Sequence, residues 1–296
     1  MSMKIGFFGD GPWSHNSLDL LLNNADFEVR FICIRSDPGD EHLIKIAEQE
    51  SIPLLQNRDI NSNEFLSTLS SYNCDIFVSL AFNQIFKKNL IELPPLGIIN
   101  CHAGKLPEYR GRNILNWALI NDENEFGITV HYVDEGIDTG DIILQKTFKI
   151  NDSDTYKTLL DVAFIQCGEI VQDALSLIKK KKAARVKQDS LDIQGFYCVG
   201  RGEGDENIDW SMNSRELFNF IRAVTYPGPN AKAILNKKNI ELISAEYIPD
   251  APKYKGIPGS VIGKSKDYFL IKTSDSHLKI TKIKYDGKIK IGDRLE

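Results

Sequence analysis

Residues 5–34 decide the fold, and they read IGFFGDGPWSHNSLDLLLNNADFEVRFICI. Ile5–Phe8 and Val29–Ile34 are short apolar runs rich in β-branched and aromatic residues, as is typical of buried strands. Ser14–Asn23 lies between them with leucines at 18, 20, 21 and 22, a pattern that predicts a helix. A strand, a helix and a second strand of these lengths predict a parallel βαβ unit.

The same alternation continues to residue 101. Residues 41–50 and 61–71 predict two more helices, and Asp75–Leu80 and Leu96–Cys101 predict two more strands. Alternating strands and helices of this length favour a Rossmann-like α/β fold, with a mostly parallel sheet and helices on both of its faces.

The next segments predict the far edge of this sheet. Ile128–Val133 and Ile142–Phe148 are strand-like and have no helix between them, so we expect an antiparallel pair at the end of the sheet. Residues 155–178 then predict a long amphipathic helix that ends in the lysine run Lys179–Lys182. Lysines at this position favour a helix C-terminus by complementing its dipole.

The sequence changes character after about residue 200. A short helix is expected over Ser214–Arg222, and the strand-like pieces that follow are separated by Gly, Pro, Asn and Asp. Such short strands predict a small open β-barrel, OB-like, of about five strands. We therefore expect a catalytic domain over 1–200 and a barrel-like domain over 201–296. The predicted barrel strands are 232–235, 239–247, 259–263, 268–273 and 277–284.

Composition and charge exclude several functional classes. Of the 296 residues, 42% are hydrophobic and 26% charged, which is typical of a globular protein, and no apolar run is long enough to predict a membrane span or signal peptide. The five cysteines form no C-x-x-C pair, so neither a disulfide framework nor a zinc site is predicted, and we expect a cytoplasmic protein without a metal. The net charge of the chain is −5. Residues 201–296 contain 17 Lys and Arg and 13 Asp and Glu, a net charge of +4, so residues 1–200 have a net charge of −9.

The turn after the first strand resembles the start of a dinucleotide-binding motif without completing it. Gly9 and Gly11 are present, but Ser14 occupies the third glycine position of G-x-G-x-x-G. A nicotinamide cofactor is therefore not predicted. The glycines are explained by a tight strand-to-helix turn, whose N–H groups could still face a phosphate.

The segment from Asn100 to Gly140 contains the candidate catalytic residues. Asn100 and His102 are two residues apart at the end of a predicted strand, so their side chains point to the same side, at the carboxyl edge where open α/β folds bind ligands. Asp138 lies in the acidic, glycine-broken loop 134–141. Each element alone has a structural explanation, a satisfied histidine or a plain turn. Together they supply an oxyanion donor, a proton-transfer base and an orienting carboxylate.

The order and spacing of these motifs resemble the folate-dependent formyltransferases. That family includes methionyl-tRNA formyltransferase, glycinamide ribonucleotide formyltransferase and nucleotide-sugar N-formyltransferases. The resemblance covers nearly the whole chain and rests on Gly97-Ile98-Ile99-Asn100-Cys101-His102, Leu106-Pro107, Tyr109-Arg110-Gly111, Ile137-Asp138-Thr139-Gly140, Ile208-Asp209-Trp210, Ile221-Arg222-Ala223 and Pro258-Gly259-Ser260-Val261. One departure is Gly104-Lys105-Leu106-Pro107, where many members have Ser-Leu-Leu-Pro.

The resemblance implies that 10-formyltetrahydrofolate is the formyl donor, a primary amine the acceptor, and Asn100, His102 and Asp138 the catalytic residues. Folate contacts are implied at Phe82, Asn83, Ile85, Phe86, Leu106, Asp134 and Gly136. The expected contacts to the acceptor substrate are Gly9, Gly11, Trp13, Lys105, Arg110, Arg112 and Tyr226.

Two acceptors fit this layout. A tRNA enzyme needs a basic surface, because phosphate neutralisation dominates its affinity. This chain has a pI of about 5.7, and the loop 36–41 is short and acidic where tRNA enzymes commonly carry a basic insertion. The run Tyr109–Leu119 and the stretch Asp37–Gly39 are similar to the formyltransferase domain of the bifunctional enzyme for UDP-4-amino-4-deoxy-arabinose. We therefore favour a UDP- or dTDP-linked amino sugar used for surface polysaccharide such as lipopolysaccharide, with no nucleic-acid or membrane partner.

Two alternative functions stay open at this stage. The acceptor can be methionyl-tRNA, or the chain can be an inactive relative that binds folate or a sugar nucleotide, although the intact triad argues against that. A homodimer is also possible, since the C-terminal domain forms dimers in similar sugar enzymes.

Overall fold

A computed structural model describes residues 1–296, and its contacts divide the chain into two compact units. Unit 1 comprises residues 1–111, 126–148 and 161–198, and unit 2 comprises residues 112–125, 149–160 and 199–296. The helices and strands, in chain order, are β1 (Met3–Gly9), α1 (Pro12–Leu22), β2 (Phe27–Ile34), α2 (Glu41–Gln49), β3 (Leu54–Gln56), α3 (Asn63–Ser71), β4 (Ile76–Leu80), α4 (Lys88–Ile91), β5 (Ile98–His102), β6 (Arg110–Gly111), α5 (Ile114–Ile120), β7 (Glu125–Tyr132), β8 (Ile142–Lys149), α6 (Tyr156–Lys179), β9 (Tyr197–Cys198), α7 (Ser214–Val224), β10 (Ala231–Leu235), β11 (Lys238–Glu246), β12 (Val261–Lys264), β13 (Phe269–Lys272) and β14 (His277–Lys284).

Unit 1 is built on a seven-stranded sheet in the order β3-β2-β1-β4-β5-β7-β8. The pairs β1–β2, β1–β4, β2–β3 and β4–β5 are parallel, and β7 runs antiparallel to β5. The expected α/β class and the mostly parallel sheet are confirmed. Because strand order reverses between β1 and β4, the carboxyl ends of these strands border the crevice in which such folds bind ligands.

Aromatic packing fixes the middle of this sheet. The Phe8 ring packs against Phe31, Phe77, Phe82 and Phe86 with ring centroids 5.3–5.5 Å apart. Gly6 leaves room for this cluster, since a Cβ at that position would overlap the rings of Phe31 and Phe77. The cluster buries large apolar area at the strands that lead to the crevice.

Unit 2 contains an antiparallel β domain where the sequence predicted a small open barrel of about five strands. Its five-stranded sheet has the order β10-β11-β14-β13-β12. The segment 293–296 bridges the two edges of that sheet: Val261 N–H donates to the carbonyl of Asp293, and Ile234 and Glu296 exchange two backbone hydrogen bonds of 2.7 and 2.8 Å. This segment therefore connects β12 to β10 around the barrel. Helix α7 begins with a capping box formed by Asn213 and Glu216.

Most predicted elements agree with the structure to within a few residues, and the differences have simple causes. β3, α4 and α5 were not predicted, because each is three to seven residues long and too short to show a period. The predicted strand 259–263 begins only at Val261, because Gly259 has a φ of 82° in a turn. No helix is long and apolar enough to cross a membrane.

Candidate active site

The antiparallel pairing of β5 with β7 places polar side chains next to one another. In this register Asn100 lies opposite His131, and His102 lies opposite Thr129. Directly opposite residues have Cβ atoms about 4.5–5.5 Å apart. β5 ends at His102, so this pair of strands presents all four side chains near the carboxyl edge of the sheet.

His102 is held by a backbone carbonyl on one side and a carboxylate on the other. Its side chain is buried, with Nε2 2.7 Å from the carbonyl oxygen of Tyr109 and Nδ1 3.6 Å from Asp138 Oδ2. A carbonyl only accepts hydrogen bonds, so Nε2 carries a proton and donates it. The position that can gain or lose a proton is therefore Nδ1, beside Asp138.

One backbone N–H and two imidazole nitrogens lie close to the carboxylate of Asp138. Gly111 N–H donates to Oδ2 at 2.9 Å, and His131 Nε2 lies 3.5 Å from Oδ1. Burial alone raises the pKa of Asp138, but the charge of His102, contacts to His131 and the Gly111 N–H together hold that pKa well below its ordinary value. Asp138 is a carboxylate at neutral pH.

The protonation of His102 results from opposing effects. Burial lowers the pKa of His102, Asp138 and the Tyr109 carbonyl raise it, and His131 lowers it, with a net decrease. The neutral imidazole is therefore favoured in the resting site. Asp138 stays ionised in that state because the Gly111 N–H donates to it whether or not His102 is charged.

His131 orients Asn100. Nδ1 of His131 donates to the carbonyl of Tyr132 at 2.8 Å, which leaves Nε2 to accept from Nδ2 of Asn100 at 3.3 Å. The Asn100 amide is thus held by its cross-strand neighbour.

Gly104 allows the His102 ring and the Tyr109 carbonyl to lie close to the backbone in this chain. A Cβ at this position would overlap Nε2 of His102 and the carbonyl oxygen of Tyr109. This glycine stands where many formyltransferases have serine, so the departure noted in the sequence coincides with tight packing on His102. Thr129 Oγ1 fixes the same turn by donating to the Gly104 carbonyl at 2.7 Å.

Gly104→Ala is expected to lower kcat on the order of 10²-fold, because the new methyl group displaces the His102 ring from the Tyr109 carbonyl. The measurement is steady-state formyl transfer, with circular dichroism to establish folding. Gly202→Ala is the matched control, because a Cβ at Gly202 meets nothing within 4 Å. Equal activity of the two variants would contradict this account of Gly104.

Comparison with known proteins identifies the family. Residues 3–166 match the profile of the family described as formyl transferase, and residues 203–293 match that of the formyl transferase C-terminal domain. The chain belongs to the formyl transferase family. The resemblance described from the sequence and the expected enzyme class are therefore confirmed: its members catalyse formyl transfer.

Relatives of two kinds are similar to this formyltransferase along its whole length. Methionyl-tRNA formyltransferases from Thermodesulfovibrio yellowstonii and Clostridioides difficile are 30% and 33% identical, over 97% of this chain and 93% of theirs. The solved structure of WlaRD, a sugar 3N-formyl transferase with dTDP and 5-N-formyl-THF, has a TM-score of 0.72 and 25% identity, covering 96% of this chain and 98% of that one. An N-formyltransferase from Helicobacter canadensis, in complex with folinic acid and dTDP-3-aminofucose, shares the fold with a TM-score of 0.73 and 24% identity over 96% and 100% of the two chains.

Two of the residues predicted to contact folate, Phe82 and Phe86, belong to one apolar cluster or pack against it. Phe86 is buried in the cluster around Phe8, and Phe82 and Val133 pack against the same cluster. Val133 leads directly into the loop that carries Asp134, Gly136 and Asp138. Among the other predicted folate contacts, Asn83, Ile85, Asp134 and Gly136 are exposed and Leu106 is buried. Exposed Ile85, at 63%, is an apolar side chain available to a ligand.

The residues predicted to contact the acceptor lie in both units. In unit 1, Gly9 and Gly11 flank the turn into α1, Trp13 packs edge-on against Phe164, Lys105 packs on Gly127, and the Arg110 guanidinium donates to Gln188. In unit 2, Arg112 approaches Gly200 and Tyr226 is 68% exposed.

Two residues of the site were not predicted from the sequence. His131 lies within an apolar strand, and only its pairing opposite Asn100 reveals it. Gln188 lies in a polar stretch after α6 and contacts the backbone of Asp138. No group of three or more His, Cys, Asp or Glu side chains is arranged to hold a metal ion.

Proposed function

We propose that this formyltransferase transfers the formyl group of 10-formyltetrahydrofolate to the amino group of a nucleotide-linked amino sugar, with UDP or dTDP as the carrier. The support for the folate donor is its family and the formyl-THF found with WlaRD. The support for the sugar is the similarity to WlaRD over almost all of both chains, together with the distribution of charge.

In the proposed reaction the amine nitrogen attacks the formyl carbon, and the carbonyl oxygen becomes an oxyanion. Asn100 Nδ2 donates to that oxyanion, as a pre-oriented donor does in other acyl transfers. The nitrogen loses a proton to the Asp138–His102 pair, where Nδ1 of His102 is the free basic position. The C–N bond to the folate then breaks, and the proton passes to the departing N10, releasing tetrahydrofolate and the formamide.

The observation that carries the choice of a sugar is the connection between β2 and α2. It has six residues, 35–40, and its only basic side chain, Arg35, is tied to Asp10 at 3.2 Å and to the carbonyl of Ala81 at 2.6 Å. Asp40 caps α2 through Leu43 N–H and also accepts from Gly11 N–H and His15. This connection presents no free cation to a phosphate backbone.

The overall charge agrees with this choice. Residues 1–200 have a net charge of −9 and residues 201–296 a net charge of only +4, which together give the −5 of the whole chain. Nucleic-acid binding depends on neutralising several phosphates with Lys and Arg. A sugar nucleotide presents only a diphosphate, which a few residues can bind. In unit 1, Lys105 is the proposed diphosphate contact and Trp13 the proposed stacking residue. A cytoplasmic homodimer serving surface polysaccharide synthesis is part of the same proposal.

Methionyl-tRNA is the second candidate acceptor, and a specific observation favours it. The methionyl-tRNA formyltransferases are 30–33% identical to this chain over more than nine-tenths of both sequences. The lysine run after α6, Lys179–Lys182, is the most basic stretch of the chain, although Lys179 pairs with Asp26.

Formyl transfer to a panel of UDP- and dTDP-amino sugars, beside charged initiator tRNA, tests the proposal. Tetrahydrofolate release is expected with a nucleotide sugar and not with tRNA, and its rate should vary little between about 50 and 200 mM salt, since few phosphates are bound. Turnover on tRNA alone, with a steep salt dependence, would overturn the choice of acceptor and leave the catalytic assignment standing. No turnover on any acceptor would contradict the proposed activity and favour an inactive, ligand-binding relative.

A further inference from the structure

Gln188 makes two hydrogen bonds to the turn that carries Asp138. It begins a short 3-10 helix, Gln188–Ser190, and is only 3% exposed. Its Nε2 donates to the carbonyl of Asp138 at 2.8 Å and to that of Gly140 at 2.9 Å. A single side chain thus joins both ends of the three-residue segment that begins at the proposed catalytic carboxylate.

Arg110 fixes the orientation of the Gln188 amide. Its Nε and Nη2 both donate to Oε1 of Gln188, at 3.1 and 2.7 Å. A guanidinium only donates and a carbonyl only accepts, so the amide has one chemically consistent orientation: oxygen towards Arg110, nitrogen towards the turn. Every hydrogen-bonding group of this buried amide is then satisfied.

The Asp138 turn has a conformation that needs such support. Asp138 has a φ of 54°, in the left-handed region that residues with a side chain seldom adopt. Gly140 lies against β7 so closely that a Cβ would overlap the carbonyl oxygen of Tyr132. A strained backbone conformation of this kind is stable only where the surrounding structure holds it in place. The two hydrogen bonds of Gln188, which lies 50 residues further along the chain, help to hold the turn in this conformation.

We infer that Gln188 is a positioning residue for the formyl transfer reaction: through its two N–H groups it holds the Asp138 turn so that the carboxylate stays beside His102 and His131. It acts on Asp138 and has no direct role towards either substrate. The inference rests on the proposed role of Asp138, and it is independent of which amine accepts the formyl group. Arg110 belongs to the same arrangement, because it turns the amide.

Gln188→Met and Gln188→Glu separate this role from a merely structural one. Methionine removes all the hydrogen bonds, whereas glutamate keeps an acceptor for Arg110 and loses both donors to the turn. Positioning predicts that both variants lose kcat on the order of 10²-fold with KM for folate nearly unchanged, since small displacements of catalytic groups have effects of that size. Gln172→Met is the matched control, because Gln172 Nε2 donates to the carbonyl of Leu20 within the same unit.

A second measurement needs no substrate. The His102 ring is followed by NMR through a pH titration of the unliganded protein, in the wild type and in Gln188→Met. Asp138 raises the pKa of His102 against its burial. Displacing the carboxylate should therefore move the His102 titration to lower pH, and Gln172→Met should leave it in place. If the wild type turns over no acceptor, the proposed function fails while this titration still decides the role of Gln188.

Three results would overturn the inference. One is a wild-type kcat in Gln188→Glu, which would show that Gln188 matters only as a hydrogen-bond acceptor for Arg110. Another is an unmoved His102 titration in Gln188→Met. The third is a raised KM at unchanged kcat, which would make Gln188 or Arg110 a substrate contact. Thermal unfolding accompanies each assay, and if Gln188→Met fails to fold, Gln188→Glu carries the kinetic test.

Discussion

Asp138→Asn is expected to lower kcat by about 10²–10⁴-fold with the fold intact, because it removes the charge that we propose assists proton transfer. The amide has nearly the shape of the carboxylate, and its oxygen can still accept from the Gly111 N–H. With the oxygen at that position, the NH₂ group lies towards Nε2 of His131, and Nδ1 of His102 has a neutral amide beside it in place of a carboxylate. Stopped assays of tetrahydrofolate release measure the loss.

The residual activity of Asp138→Asn should also change its pH dependence. In the wild type the carboxylate raises the pKa of His102 while burial lowers it. Without the carboxylate, only the Tyr109 carbonyl still raises the pKa of His102, whereas burial and His131 still lower it. The pKa of His102 therefore falls, and the acidic limb of the kcat profile moves to lower pH. The control is Asp267→Asn, an exposed aspartate in unit 2. Wild-type activity in Asp138→Asn would remove Asp138 from the mechanism.

Asn100→Ala is expected to reduce kcat by about 10²–10³-fold, the usual consequence of losing one oxyanion donor. KM for both substrates should change little, because the oxyanion exists only after the amine has attacked. The same assay measures it, with Asn239→Ala, an exposed asparagine on β11, as the control. A loss confined to KM would mean that Asn100 binds the ground state.

The two substitutions affect one network and should not be additive. Asn100 contacts His131, and His131 in turn lies 3.5 Å from Asp138. Groups that act as a unit give a double variant whose loss is smaller than the combined single losses. A double variant of Asn100→Ala and Asp138→Asn with fully multiplied losses would indicate independent roles.

The sequence predicted the part of the candidate site that depends on local order. Asn100 and His102 lie two residues apart at a strand end, and strand periodicity alone places them on one side. Asp138 followed from the Ile137-Asp138-Thr139-Gly140 motif, and the structure brings it to 3.6 Å from His102. The α/β class likewise followed from alternating apolar runs, whose burial does not depend on distant detail.

The residues that were missed depend on tertiary register. His131 is part of an apolar strand, and a shift of one residue in the β5–β7 pairing would turn it to the other face. Gln188 comes from a polar stretch with no period, and its importance arises only where the chain returns to Asp138. The short elements β3, α4 and α5 were not predicted, because packing against the rest of the chain stabilises them more than their own propensity does.

The interleaving of the two units limits how the molecule can be divided. The chain passes between them five times, so no single break in the backbone releases either one intact. Helix α5 belongs to unit 2 although it lies about 80 residues before residues 199–296, the longest segment of that unit. In α5, Asn116 Nδ2 donates to the carbonyl of Ala223 in α7 at 2.7 Å. A fragment of residues 201–296 would lack that helix and expose the surface of α7 that it covers. Nicking by a protease, gene truncation and domain grafting therefore all act on both units at once, and exchange of the C-terminal unit between relatives has to carry residues 112–125 and 149–160 with it.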